Sequence, residues 1–192
     1  MLQIEDIKEM LEMQKELDEH INQHMELKGG TLDKMLKNKC YALAIELTEM
    51  VNEDRFFKYW SYKGRDEKRV IEEYVDCLHF MLSITNTLIE MDDGQNAQEW
   101  ALHYWDMFLR RVQRNIIIGY QSQELRAKGM DTIGKFFYHL SGYYNSSVVY
   151  NLQRLLEYFE KITELFEINL DEVKEEYHRK NKINHQRQEE NY

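Results

Sequence analysis

Not one of the 192 residues is proline, and only 8 are glycine. Proline fixes φ, removes a backbone donor and clashes with the preceding helical turn, so a chain without it can run in long uninterrupted helices. The apolar residues carry the matching period. Ile4, Ile7, Met10, Leu11, Met13, Leu17 and Ile21 recur at helical spacing between charged residues, which predicts an amphipathic first helix ending near Lys28-Gly29-Gly30. Thr31 is placed to cap a second helix, through Leu43, Ile45 and Leu47 to about Val51. After the irregular stretch Asn52–Arg65, a third helix is expected from Asp66–Glu67 to about Met91, broken by Asp92-Asp93-Gly94. Trp100–Ile118 and Val148–Phe166 read as further helices, and Gly119–Gly142 as short helices and turns. Leu170–His178 reads as a shorter helix capped by Asn169 or Asp171, followed by a polar tail, Arg179–Tyr192, without an apolar stripe. The expected fold is all-α, an antiparallel helical bundle. It forms one domain over 1–192, with a helical core over about 1–92 and a C-terminal helical region over about 93–192.

Charge narrows the partners. A net charge of −10 argues against nonspecific nucleic-acid binding, which needs many Lys and Arg to displace counterions. An acidic chain that handles polyphosphates must overcome repulsion locally, and divalent cations would do so. Cys40 and Cys77 sit in apolar neighbourhoods and read as reduced core residues. No apolar run approaches the ~20 residues of a membrane span. Met1–Lys8 runs straight into charged periodic residues, so no secretory leader is expected and the expected location is cytoplasmic.

Two acid pairs carry the chemistry. Glu46 and Glu49 lie three apart in the second predicted helix, and Glu73 and Asp76 three apart in the third. Residues at i and i+3 share a helix face, about 5–6 Å apart. If the two helices pack antiparallel, the four carboxylates converge. Such a group is costly to bury unless something positive sits among them. Hard cations fit oxygen ligands, and Mg²⁺ in particular combines a few carboxylates with substrate phosphates. A single ExxE in a chain with 35 acids reads equally as a solvated face. The second pair is different, because it interrupts the apolar stretch Glu73-Tyr74-Val75-Asp76-Cys77-Leu78-His79-Phe80.

These blocks resemble a known family. Ala44-Ile45-Glu46-Leu47-Thr48-Glu49, then Phe57-Lys58-Tyr59-Trp60-Ser61, then Glu73 to Phe80 look like the dimeric all-α dUTPases, of phage and bacterial type. Those enzymes belong to the all-α nucleotide pyrophosphatases, marked by ExxE followed at a distance by ExxD. Gln14 and Leu17 fall at the spacing used for the uracil pocket, and Lys180-Asn181-Lys182-Ile183-Asn184-His185-Gln186-Arg187-Gln188 resembles the family's KNxxNxxRQ tail. Asp18 stands where these enzymes typically carry Asn; it can accept a hydrogen bond but cannot donate one to a carbonyl. Asn191 stands where Gly usually precedes the final Tyr192.

The resemblance implies hydrolysis of dUTP, and of dUDP, to dUMP, with pyrophosphate released from dUTP. It implies that Glu46, Glu49, Glu73 and Asp76 hold Mg²⁺, and that Glu49 also orients and deprotonates the attacking water. Lys180, Asn184, Arg187 and Tyr192 are the expected phosphate-contacting tail, helped by Lys58 or Lys63. Gln14, Asp18, Trp60, His79 and Phe80 are the expected base site. A homodimer is implied as well. Two other readings stay open: an all-α pyrophosphatase acting on another nucleotide such as dCTP, or an acidic helical protein that binds a regulator such as a repressor. A di-iron bundle would need two ExxH motifs on facing helices, and only Glu175–His178 fits.

Overall fold

The structure is a computed structural model that describes residues 2–26, 30–92, 96–118, 129–141 and 148–190. Among these residues there are seven helices and no strand: α1 Ile4–Glu26, α2 Leu32–Asp54, α3 Glu67–Met91, α4 Ala97–Ile118, α5 Gly129–Ser141, α6 Val148–Leu165 and α7 Leu170–Glu189. The all-α expectation is met.

Helix starts follow the capping chemistry in the sequence. Thr31 Oγ1 accepts the Lys34 N–H at 3.3 Å, Asp66 Oδ1 accepts that of Arg69 at 3.2 Å, and Asn169 Oδ1 accepts that of Asp171 at 3.1 Å. Each satisfies a backbone donor that the first turn leaves without a helical partner. Three boundaries differ from expectation. α2 runs on to Asp54, and α4 begins at Ala97. The largest difference is at the C-terminus, where Arg179–Glu189 continues α7 as helix. Its buried stripe is Leu170, Val173, Tyr177 and Asn181, so the last anchoring residue is polar and hides the stripe from an apolar reading.

α2 and α3 form an antiparallel hairpin, and its register can be followed pair by pair. Lys39 reaches Ser83 and Thr87, Glu46 and Glu49 meet Glu73, and the Asp66 N–H donates to the Glu53 carbonyl at 3.2 Å. Numbers rise along one helix as they fall along the other. The connecting loop is closed at its ends. Arg55 terminates α2 in the left-handed region (φ 66°), and its guanidinium donates to the Lys63 carbonyl at 3.0 Å and to Ser61 Oγ at 2.8 Å. Buried Asp54 pairs with Arg65 at 2.8 Å.

α3 is the central element, packed against α1, α2, α4, α6 and α7. Around it Tyr74 stacks on Phe159 at 5.1 Å and its hydroxyl meets Thr163 Oγ1 at 2.9 Å, while Trp105 Nε1 donates to Thr85 Oγ1 at 3.2 Å. These bonds satisfy polar groups that would otherwise be costly to bury. Cys40 and Cys77 are buried and free, as expected. Ile45 departs from the expected core: it is 57% exposed, on the face of α2 beside Tyr41. Among the described residues, no helix is long and apolar enough to cross a membrane.

Candidate functional site

The hairpin register sets the two acid pairs against each other. Carboxylate oxygens of Glu46, Glu49 and Glu73 all lie within 4.8 Å of one another. Glu73 is buried, Glu46 half-buried and Glu49 exposed, so the group opens outward on the Glu49 side. Asp76, one turn further along α3, stands beside this trio and faces α7, where Lys180 Nζ lies 2.5 Å from its Oδ2. Arg69 reaches back along α3 to Glu73 at 2.8 Å.

Two cations leave the negative charge only partly compensated. Burial, then the charges of Asp76, Glu49 and Glu73, push the Glu46 carboxyl up to about 7. Burial raises Glu73 and Asp76 as well, against the opposing pull of Arg69 on the first and Lys180 on the second. An all-oxygen set of crowded, reluctantly ionised carboxylates with one open side fits a hard divalent cation.

Further along α3 lies a second polar cluster, between α1 and α7. Gln14 of α1 donates its Nε2 to Asp18 Oδ1 at 2.8 Å, and its Oε1 lies 2.7 Å from His79 Nδ1. The His79 ring stacks on Tyr177 of α7, with centroids 4.2 Å apart. Asp18 Oδ2 accepts from Ser83 Oγ at 2.6 Å and from Lys39 Nζ at 2.9 Å. Two buried side-chain atoms among the described residues have no hydrogen-bond partner: His79 Nε2 and Asn181 Nδ2. Asn181 lies one turn after Tyr177 on α7, so the two orphaned atoms belong to facing elements of one cluster. Natural interiors leave few such atoms without a reason.

A family model described as dUTPase matches residues 6–192. The chain belongs to the all-α dUTPase family. Among curated proteins, none matches it.

Membership gives this dUTPase the hydrolysis of dUTP and, in general terms, a divalent metal. The two clusters are its candidate metal and base sites, joined along α3. Around them the remaining expected residues are spread unevenly. Asn184 and Arg187 continue the Lys180 side of α7, and the Arg187 charge acts on Asp76. Phe80 is partly buried against the core. Lys58 is tied to Asn52 Oδ1 at 2.5 Å, and Lys63 is exposed with its carbonyl held by Arg55. Trp60 is 63% exposed and meets Phe57 and Tyr59 edge-on, in the loop after α2 and away from Gln14 and His79. Tyr192 lies outside the described residues. Several residues of the clusters were not singled out from sequence: Arg69, Lys39, Ser83, Tyr177 and Asn181. Of these only Asn181, inside the KNxxN run, carried a signal; the others become visible once helices are docked.

Proposed function

We propose that this dUTPase works with Mg²⁺ held by Glu46, Glu49, Glu73 and Asp76, and that it also hydrolyses dUDP. The observation that supports this reading is the convergence of three carboxylates within 4.8 Å, with Asp76 and its Lys180 partner alongside. Bound there, the cation supplies charge neutralisation for the phosphates and acidifies water.

The chain's own groups do the rest. Glu49, the most exposed acid of the four, faces solvent where water arrives and takes the proton of the attacking water. Lys180 leaves Asp76 for a phosphate oxygen, and Asn184 and Arg187 extend that contact along α7; Tyr192 is proposed to contribute as well. Lys58 and Lys63 add positive charge from the loop. Phosphoryl transfer asks mainly for such positioning and charge balance. At the base, His79 Nε2 offers a lone pair and Asn181 Nδ2 a donor, a pattern that complements a ring N–H next to a carbonyl. Uracil presents that edge. Gln14 supports His79, and Phe80 supplies a flanking ring. The exposed apolar face of Tyr41 and Ile45, with Phe137 of α5 nearby, is the surface we assign to a two-fold dimer.

The test is release of pyrophosphate or phosphate from dUTP, dUDP, dCTP and dTTP, with Mg²⁺ and with chelator. Preference for the deoxyuridine nucleotides, lost on chelation, is the expected result. Equal turnover of dCTP would overturn the base assignment, and full activity with chelator would overturn the metal.

A further inference from the structure

The chemistry-bearing residues of α3 run in one file. Arg69, Glu73, Asp76 and Phe80 follow at steps of four, three and four, so they share a helix face, with His79 at its edge. From His79 back to Arg69 the helix rises about 15 Å, a length comparable to an extended nucleoside triphosphate. The base cluster stands at one end of this file, and the acids occupy its middle. Arg69 stands at the other end, beside the loop that carries Lys58 and Lys63. Its guanidinium is a fork set over the acids: Nη2 lies 2.8 Å from Glu73 Oε1, and Nη1 donates to Glu72 Oε2 at 2.9 Å. The side chain is 49% exposed, against 17% for Lys180, so it is the more open of the two cations. Glu72 has two further cations, Arg179 at 3.5 Å and Lys68 at 3.8 Å, and Glu73 is assigned to the metal. The guanidinium can therefore turn outward without stranding either acid.

We infer that Arg69 binds the terminal phosphate of the substrate and so favours a deoxynucleoside triphosphate over the diphosphate. This rests on the base and metal assignments given under the proposed function. With the base at His79 and Asn181, and the phosphates nearest the sugar over Asp76 and Glu73, the end of a triphosphate chain arrives at Arg69. A diphosphate stops one phosphate short of it. A guanidinium presents paired donors to phosphate oxygens, and the terminal phosphate carries the charge that strengthens such bonds. The diphosphate remains a substrate, because it still meets the acids and the α7 cations; the Arg69 contact sets the ratio between the two.

The experiment measures kcat/KM for dUTP and for dUDP, with Mg²⁺, in the parent chain, in Arg69→Met and in Arg69→Lys. Calorimetry on the same three proteins gives dissociation constants for the nonhydrolysable α,β-imido analogues of both nucleotides. The expected result is a dUTP-to-dUDP ratio that falls tenfold or more in R69M, through loss of charge-assisted bonds made to the triphosphate alone. The ratio of analogue affinities moves the same way, and R69K, which keeps the charge without the fork, falls less. Equal losses on both nucleotides would overturn the inference, since a displaced Glu73 would act on both alike. A ratio unchanged in both variants would overturn it too. The two underlying assignments fail in other ways. A parent that prefers dCTP sinks the base assignment, and the chain-length ratio is then read on dCTP and dCDP. Full activity with chelator sinks the metal and leaves the ratio measurable. If no nucleotide is turned over, the analogue affinities still decide the role of Arg69.

Discussion

Glu49 is the exposed member of a crowded acidic trio, and this separates its chemistry from its structural cost. Glu49→Gln removes a charge that repels Glu46 and Glu73 without opening a cavity. Turnover should fall at least a hundredfold, the upper part of what general-base catalysis contributes. The melting temperature of the metal-free protein should hold or rise slightly. Retained turnover in steady-state assays would remove Glu49 from its role. His79 makes the opposite prediction. Its ring stays neutral in the fold to about pH 3, against 6.5 for a free histidine. Between those values the unfolded chain binds the extra proton, so stability is intact above pH 6.5 and declines as pH falls below it. The contribution lost between pH 6.5 and 5 is about 2 kcal/mol. Urea unfolding at pH 7.5 and 5 should show this loss, and His79→Gln should reduce it. At this scale the sequence was legible for the acids, since ExxE and ExxD name their own residues. Lys39 and Ser83 were not legible, because an isolated lysine or serine on a helix has no pattern until its neighbour arrives.

Helix α7 shows how an element can be missed while its residues are noticed. Lys180, Asn184 and Arg187 were identified by motif, but as part of a tail. Tyr177 and Asn181 in fact extend a helical stripe that carries these cations to the acids of α3. Truncation after Arg179 therefore removes both a cation from Asp76 and a buried amide. It should raise KM for dUTP tenfold or more by loss of charge-assisted bonds, and an unchanged KM would argue against phosphate contact. The loop after α2 depends on a different anchor. Asp54 and Arg65 form a largely buried pair, and breaking one side strands the other charge. Asp54→Ala should cost about 3 kcal/mol, measured by chemical denaturation. Helix starts were readable because Thr31, Asp66 and Asn169 act locally; the ends of α2 and α7 were set by tertiary contact.

For the molecule as a whole, the strongest expectation concerns its acids and a cation. Mg²⁺ at a hundredfold excess over its dissociation constant should stabilise the fold by about 2.7 kcal/mol, several degrees in Tm for a chain of this size. A nonhydrolysable dUTP analogue should add to that shift only when Mg²⁺ is present. Thermal melts in chelator, Mg²⁺, and Mg²⁺ with analogue would show it, and an analogue shift undiminished by chelation would count against a shared site. The all-α bundle was legible from period and from the missing proline. The docking of the second half of α7 onto α1 and α3 was not, because beyond Tyr177 it is carried by the polar residues Lys180 and Asn181.

That docking has a consequence for synthesis. Gln14, His79 and Asn181 form one cluster drawn from α1, α3 and α7, segments far apart along the polypeptide. The ribosome has translated the acidic trio and helices α1 to α6 before the third contributor exists, and longer still passes before it clears the exit tunnel. A product cut short by a late stop codon would own the acidic trio yet lack the amide that closes the cluster.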